Sequence, residues 1–352
     1  MIKYPSQSSL YFHHAAIIAE KVKKNTIVTV QYFQPSLDNV MLVGIKEALK
    51  ILEKYTDTSK LKIQYIEEGT IIQRNEPVLK ITGPYHLFGY LENMIDSVLT
   101  RGSSVATNVQ KIINLVGPNR LIIMSDRGDH YDNLARDGYA AAVAGATMFS
   151  NYEQLKLISD KQRETCKVFG SVPHALIQLF NDDVNDVVKN YAEIINEKLI
   201  ILVDFDNDII NTTLKVMENH HQNLIGVRVD TSPRIIDKYF YENGYLKEAK
   251  FDPKYSGSNP ILISALRKAL DNNGYQNQKI IISSGLTYEK IKYFEDHKTK
   301  IDGYGVGLSL LKVNVIFTCD AVKLNDKPLA KFGRKEYFSK QLKIYIPPKT
   351  LK

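Results

Sequence analysis

Apolar and polar positions repeat along this chain in two different ways, and the change falls near residue 110. Before it, helical spacing covers residues 15–24, 41–55 and 87–115, and short β-like runs cover 26–32, 61–65 and 77–82. The tight Arg101-Gly102-Ser103-Ser104 sequence predicts a break in the longest of these helices. This mixture predicts a small α/β domain over residues 1–110.

From Arg120 onward the pattern becomes regular. Continuous apolar runs at 121–124, 167–169, 199–203, 224–229, 279–282 and 303–306 alternate with helical segments. Buried parallel strands read as unbroken apolar runs, and their alternation with helices marks βαβ units. The expected fold class is therefore α/β, with the small N-terminal domain followed by an irregular α/β-barrel-like domain over 111–322 and a basic tail over 323–352.

The chemistry-bearing residues collect where these runs end. The endings are Ser125-Asp126-Arg127-Gly128, the approach to His174 through Ser171-Val172-Pro173, Asp204-Phe205-Asp206, Arg228-Val229-Asp230-Thr231-Ser232, Ser283-Ser284-Gly285 and Gly305-Val306-Gly307. Loops after the carboxyl ends of strands assemble the active sites of α/β barrels. Each piece also has a plainer reading. Arg127 and Arg228 suit surface ion pairs. Asp204 and Asp206 suit caps on the next helix. A calcium loop is excluded because its later Gly and Glu are not at the required spacing. Gly285, Gly305 and Gly307 suit turns, but at strand-to-helix junctions glycines also let backbone N–H groups approach an anion. Taken together, arginines, carboxylates and such a cradle describe a site for a phosphorylated sugar and an anionic partner.

Composition narrows the classes. The 352 residues are 44% apolar and 24% charged, ordinary for a globular chain. The net charge of +7 comes from lysines spread along the whole length, with ten arginines among 46 basic residues, which argues against a nucleic-acid partner. Two cysteines, Cys166 and Cys319, cannot build a four-ligand zinc site or a disulfide scaffold, and a reduced cytoplasm fits them. No apolar run reaches the roughly 18 to 20 residues of a membrane span, and no signal-peptide core is seen, so no membrane partner is expected. The adjacent pairs His13-His14 and His220-His221 point their side chains apart on a helix, so no protein-held metal site is expected. The tyrosine-rich 239–245 segment reads as packing or interface surface.

In common order, several of these segments carry a resemblance to the nicotinate phosphoribosyltransferases, with their type II phosphoribosyltransferase fold. Leu10-Tyr11-Phe12 is similar to the family's N-terminal Asp-x-Tyr motif, and Glu68-Gly69 with Glu76-Pro77-Val78 to its small-domain signature. Leu91-Glu92 and Val105-Ala106-Thr107 resemble its linking helices. Ser171 to Ala175 resembles Gly-Thr-x-x-His-Ala/Ser, Leu202-Val203-Asp204 the strand-end aspartate, Gly226 to Thr231 the Arg-x-Asp-Ser motif, and Gly305-Val306-Gly307 the terminal Gly-x-Gly.

The resemblance implies transfer of a phosphoribosyl group from phosphoribosyl pyrophosphate to the ring nitrogen of nicotinate, within NAD biosynthesis. It implies that Tyr11, Arg127 and Arg228 bind nicotinate and that Asp204 and Asp230 hold ribose hydroxyls or Mg2+. It further implies that Ser284, Gly285, Gly305 and Gly307 cradle the 5′-phosphate, and that His174 is phosphorylated by ATP to drive synthesis. A homodimer is implied, with the small domain of one subunit, to which the tail returns, covering the other's site. The sequence departs from the pattern at Met148-Phe149-Ser150-Asn151, where the family has Gly-Thr-Ser-Asn, and at Ser9, where it has an acid. Nicotinamide or quinolinate as substrate, and a non-catalytic metabolite-binding paralogue, stay open as alternatives.

Overall fold

A computed structural model describes residues 4–246 and 252–347, so residues 348–352 of the expected tail lie outside the described residues. The chain forms two compact units, residues 1–110 with 312–352, and residues 111–311. Residues 312–322, expected with the second domain, belong to the first, because Thr318–Leu324 pairs antiparallel with Ile27–Phe33 along its whole length.

The first unit is built on a six-stranded antiparallel sheet in the order Lys327–Pro328, Thr318–Leu324, Ile27–Phe33, Leu79–Pro84, Lys62–Tyr65, Lys343–Ile344. Val30, Ile63 and Ile81 lie opposite one another across three strands, so one face is apolar and packs under the Ile45–Tyr55 and Glu92–Val116 helices. The long helix runs without a break through Arg101-Gly102-Ser103-Ser104, against the sequence expectation. The small residues are there for close approach. A Cβ on Gly102 would sit 3.0 Å from Val43 Cγ1, and Ser103 Oγ both accepts from and donates to the Val43 backbone. Serine and glycine punctuate a loop in one context and seat a helix against a neighbour in another.

The second unit holds a seven-stranded parallel sheet in the order Lys167–Val168, Met148–Phe149, Leu121–Ile123, Gly303–Val306, Lys279–Ile282, Leu224–Val229, Leu199–Leu202. Six of these are the expected runs. The seventh, Met148–Phe149, has two residues and leaves no periodic trace. The sheet curves as a half-barrel: Ile122, Ile200 and Ile281 from three separate strands pack in one inner cluster, and Ser171 Oγ bridges the two edge strands by donating to Ile200 O at 2.7 Å. Helices cross between the strands, each started by its own cap. Asp183, Asp208, Asn259 and Thr287 accept backbone N–H groups at the starts of the Val184–Ile195, Ile209–His220, Pro260–Asn272 and Tyr288–Asp296 helices.

At the N-terminal edge of this sheet lies a cavity of about 640 Å³ lined by charged residues. Arg120 there holds Glu295 through two N–H···O bonds of 2.9 and 2.7 Å and donates its Nε to Ile301 O, while Tyr304 gives its hydroxyl to the same carboxylate. Arg267 is spent on Asp271, Tyr275 O and Gln278 O. No described helix is long and apolar enough to cross a membrane.

Candidate active site at the carboxyl edge of the parallel sheet

Side chains at alternate positions of a strand share a face, and in-register parallel neighbours share it with one another. Arg228 is opposite Ile281 and Leu202, and Gly305 is opposite Ile122. The inner apolar layer therefore carries a second layer above it. Met124, Gly305, Ser283, Asp230 and Asp204 stand two residues beyond Ile122, Gly303, Ile281, Arg228 and Leu202. The strand ends picked out by sequence meet here because one strand period separates core from chemistry.

Asp204 is the buried anchor. Its side chain is 5% exposed and its Oδ1 lies 3.2 Å from His174 Nε2, whose ring is 41% exposed. Burial pushes the Asp204 carboxyl above its ordinary pKa; His174 opposes this and Asp230 adds to it. Asp204 caps nothing. That structural work falls to Asp208 and to Asp206, which accepts from Thr212 Oγ1 at 3.0 Å. His174 opens a six-residue helix after Pro173, with the Phe205 ring stacked at 6.4 Å.

Arg228 stands one strand period below Asp230, with a buried Nε that has no hydrogen-bond partner. Burial holds its guanidinium below the ordinary pKa, countered by Asp230 and Asp204 and reinforced by Arg127. Four of the expected site residues are therefore within electrostatic reach of one another. Arg127 itself is exposed on the loop after Leu121–Ile123. Asp230 accepts from Ser283 Oγ at 2.5 Å.

The expected cradle divides. Ser284 and Gly285 both adopt left-handed backbone, at φ +74° and +61°, a rare state for serine that clusters at functional turns. Gly307 must be glycine, since a Cβ would lie 2.8 Å from Met124 O. Gly305 is a buried strand residue on which a Cβ would stand 2.5 Å from the Met124 sulfur and 3.2 Å from Ser283 Cβ. Tyr11 belongs to the first unit. Its ring is 65% exposed on the Leu10–Val22 helix and packs at 4.2 Å on Phe12.

One participant left no sequence signal. Gln154 is fully buried, and its side-chain oxygen accepts the N–H groups of Ser150 and Asn151 while its amide reaches Ser125 Oγ at 3.3 Å. It ties the loop bearing Arg127 to the segment that replaces Gly-Thr-Ser-Asn. A lone glutamine on a short 3₁₀ turn carries no motif that would mark it.

Comparison with known proteins agrees with this architecture. A family model described as quinolinate phosphoribosyl transferase, N-terminal domain, matches residues 10–103. Among curated proteins, the chain is 24% identical over 251 residues to a nicotinate phosphoribosyltransferase of Bacillus subtilis, covering 70% of this chain and 45% of that protein. It is 22% identical over 248 residues to one of Mycobacterium tuberculosis, covering 69% and 47%. The chain thus spans about half the length of the curated relatives it matches. A solved nicotinate-nucleotide pyrophosphorylase from Pyrococcus furiosus superposes with TM-score 0.77 at 26% identity over 95% of this chain and 79% of that one. Human nicotinic acid phosphoribosyltransferase superposes with TM-score 0.66 at 13% identity, over 94% and 77%. The resemblance read from the motifs is borne out, and the fold is that of the type II phosphoribosyltransferases.

Proposed function

We propose that this chain transfers the phosphoribosyl group of phosphoribosyl pyrophosphate to the ring nitrogen of nicotinate. The products would be nicotinate mononucleotide and pyrophosphate, with ATP hydrolysis coupled through His174. The observation that carries this reading is the His174 Nε2 to Asp204 Oδ1 pair at 3.2 Å, within electrostatic reach of Arg228 and Asp230. Asp204 fixes the tautomer with the proton on Nε2 and leaves the Nδ1 lone pair as nucleophile. Nδ1 attacks the γ-phosphorus, an N–P bond forms as the bond to the bridging oxygen breaks, and ADP leaves. Water later cleaves the N–P bond.

In the transfer itself positive charge develops on the ribose and negative charge on the departing pyrophosphate, so positioning and electrostatics carry the rate. Arg228, with its open buried Nε, and Arg127 suit a planar carboxylate. Ser284, Gly285 and Gly307 offer the turn for the 5′-phosphate. Among the described residues no group of three or more His, Cys, Asp or Glu side chains could hold a metal ion. Asp204 and Asp230 fit Mg2+ that arrives on the substrate, an ion commonly held by one or two carboxylates plus phosphates. When bound, it would neutralise the leaving pyrophosphate.

We further propose a homodimer in which the first unit supplies Tyr11 to the partner's site. The exposed Leu10, Ile18 and Val22 around Tyr11 support it. A second reading, transfer to quinolinate, draws on the family model that matches residues 10–103; it gives the histidine–aspartate pair no task. The deciding experiment incubates the protein with phosphoribosyl pyrophosphate, Mg2+ and each of nicotinate, nicotinamide and quinolinate, with and without ATP, and identifies products by mass. Nicotinate mononucleotide from nicotinate, stimulated by ATP, is expected. Product from quinolinate alone moves the assignment to the second reading, and no product from any pyridine leaves a binding protein.

A further inference from the structure

Ser283 ends the Lys279–Ile282 strand between two residues that matter to the inner layer. It is 5% exposed, its N–H donates to Val229 O at 3.0 Å, and its hydroxyl donates to Asp230 Oδ1 at 2.5 Å. On the other side, a Cβ on Gly305 would stand 3.2 Å from Ser283 Cβ, so the absent side chain is what lets Ser283 occupy this depth. The serine is held by backbone and packing, and it holds the carboxylate in turn.

What it holds Asp230 away from is Arg228. The two are one strand period apart on the same face and feel each other's charge, yet among the described residues they form no ion pair and Arg228 Nε has no partner. A free carboxylate beside an open buried guanidinium would turn to it and form an internal pair, since charge-assisted bidentate contacts are the strongest this layer can make. That collapse would spend both groups. We propose that Ser283 is a positioning residue that pins Asp230 by one oxygen, so that Arg228 stays open for an anionic ligand and the second Asp230 oxygen for a sugar hydroxyl. The inference rests on the proposed phosphoribosyl transfer for the identity of those ligands.

The test is a double-mutant cycle on the full chain, with phosphoribosyl pyrophosphate binding followed by calorimetry, kcat and KM measured for both substrates, and acid-labile phosphate incorporation from ATP as the control. Ser283→Ala should cut kcat/KM for phosphoribosyl pyrophosphate by about tenfold, the effect of one charge-assisted hydrogen bond. His174 phosphorylation should persist in that variant. Ser283→Ala combined with Asp230→Asn should be no worse than Asp230→Asn alone within about twofold, because the serine acts through the aspartate. Multiplying losses, an unchanged Ser283→Ala, or simultaneous loss of phosphorylation would each overturn the positioning role. Wild-type protein that binds no phosphoribosyl pyrophosphate would remove the proposed function instead, and with it the premise for Ser283.

Discussion

Arg120 and Arg228 stand at opposite ends of the same parallel sheet, each partly buried among carboxylates. At the N-terminal edge the arginines are closed: Arg120 is bidentate to Glu295, and Arg267 is saturated by Asp271 and two carbonyls, although a cavity of about 640 Å³ opens there and the neutral Thr299 Oγ1 and Gln278 Oε1 are buried without a partner. At the carboxyl edge the arginine is left open, with Arg228 Nε unpartnered while Asp204 faces His174 and Asp230 takes the Ser283 hydroxyl. Buried polar groups are normally satisfied, and one that is not stores interaction energy for something else. What separates the two edges is the state of the charged group, a guanidinium with an unpartnered Nε at one and saturated guanidinium groups at the other, rather than the size of the hollow.

The largest expected effect breaks that contrast at its centre. His174→Ala should abolish ATP hydrolysis and the acid-labile, base-stable phosphate on the protein, while slow uncoupled nucleotide formation continues. Full ATP coupling in that variant would show that the open edge works without its nucleophile.

Next in size is removal of the open arginine. Arg228→Gln should lower kcat/KM for nicotinate by roughly ten- to a hundredfold, or on the order of 1.5 to 3 kcal/mol for one charge-assisted contact. The advantage over neutral nicotinamide should shrink with it. Equal losses for both pyridines would assign the guanidinium to phosphates. The melting temperature should move less than for an arginine held in an internal ion pair, since Arg228 Nε has no hydrogen-bond partner to lose.

How much of this was legible depended on which signal each part rested on. Continuous apolar runs gave six of the seven parallel strands, and reading what terminates them brought Asp204, Arg228, Asp230 and His174 to one edge. The Met148–Phe149 strand is too short to show a period, and Gln154 works through tertiary hydrogen bonds that no local pattern encodes. At Arg101-Gly102-Ser103-Ser104 the local signal pointed the wrong way, because close helix packing and loop punctuation draw on the same small residues. Gly305 shows the converse: the glycine was found, but a sequence does not say whether a missing side chain serves a ligand or the Met124 sulfur.

The closed edge should answer in stability rather than activity. Arg120→Gln breaks both bonds to Glu295 and should cost about 1–3 kcal/mol, a fall of roughly 3–8 °C in melting temperature for a unit of this size. At 25 °C, kcat/KM should stay within about twofold of wild type. A catalytic loss without a thermal one would erase the distinction between the two ends of the sheet.

The smallest expected effect asks which edge a third polar cluster resembles. In the first unit Glu92 and Asp96 are both raised to about 7, Glu92 by burial reinforced by Asp96 and Asp320, Asp96 by burial, and Asp96 Oδ1 is buried with no partner. The orphan oxygen looks like the open edge, but the arginine at this cluster, Arg334, is already paired with Asp320 at 3.5 Å, so the cost should appear in folding. A carboxyl whose pKa is higher folded than unfolded binds more protons when folded. Stability is then greatest below its unfolded value of about 4 and declines as pH rises toward 7. Asp96→Asn removes Asp96's share of that dependence and lessens that of Glu92. Discounting for partial exposure, it should stabilise the protein by about 1–2 kcal/mol at pH 8 and leave it unchanged at pH 4. Denaturant midpoints of variant and wild type at the two pH values give the difference directly. A variant no more stable than wild type at pH 8 would mean that the cluster is satisfied after all and belongs with Arg120, among contacts that serve the fold alone.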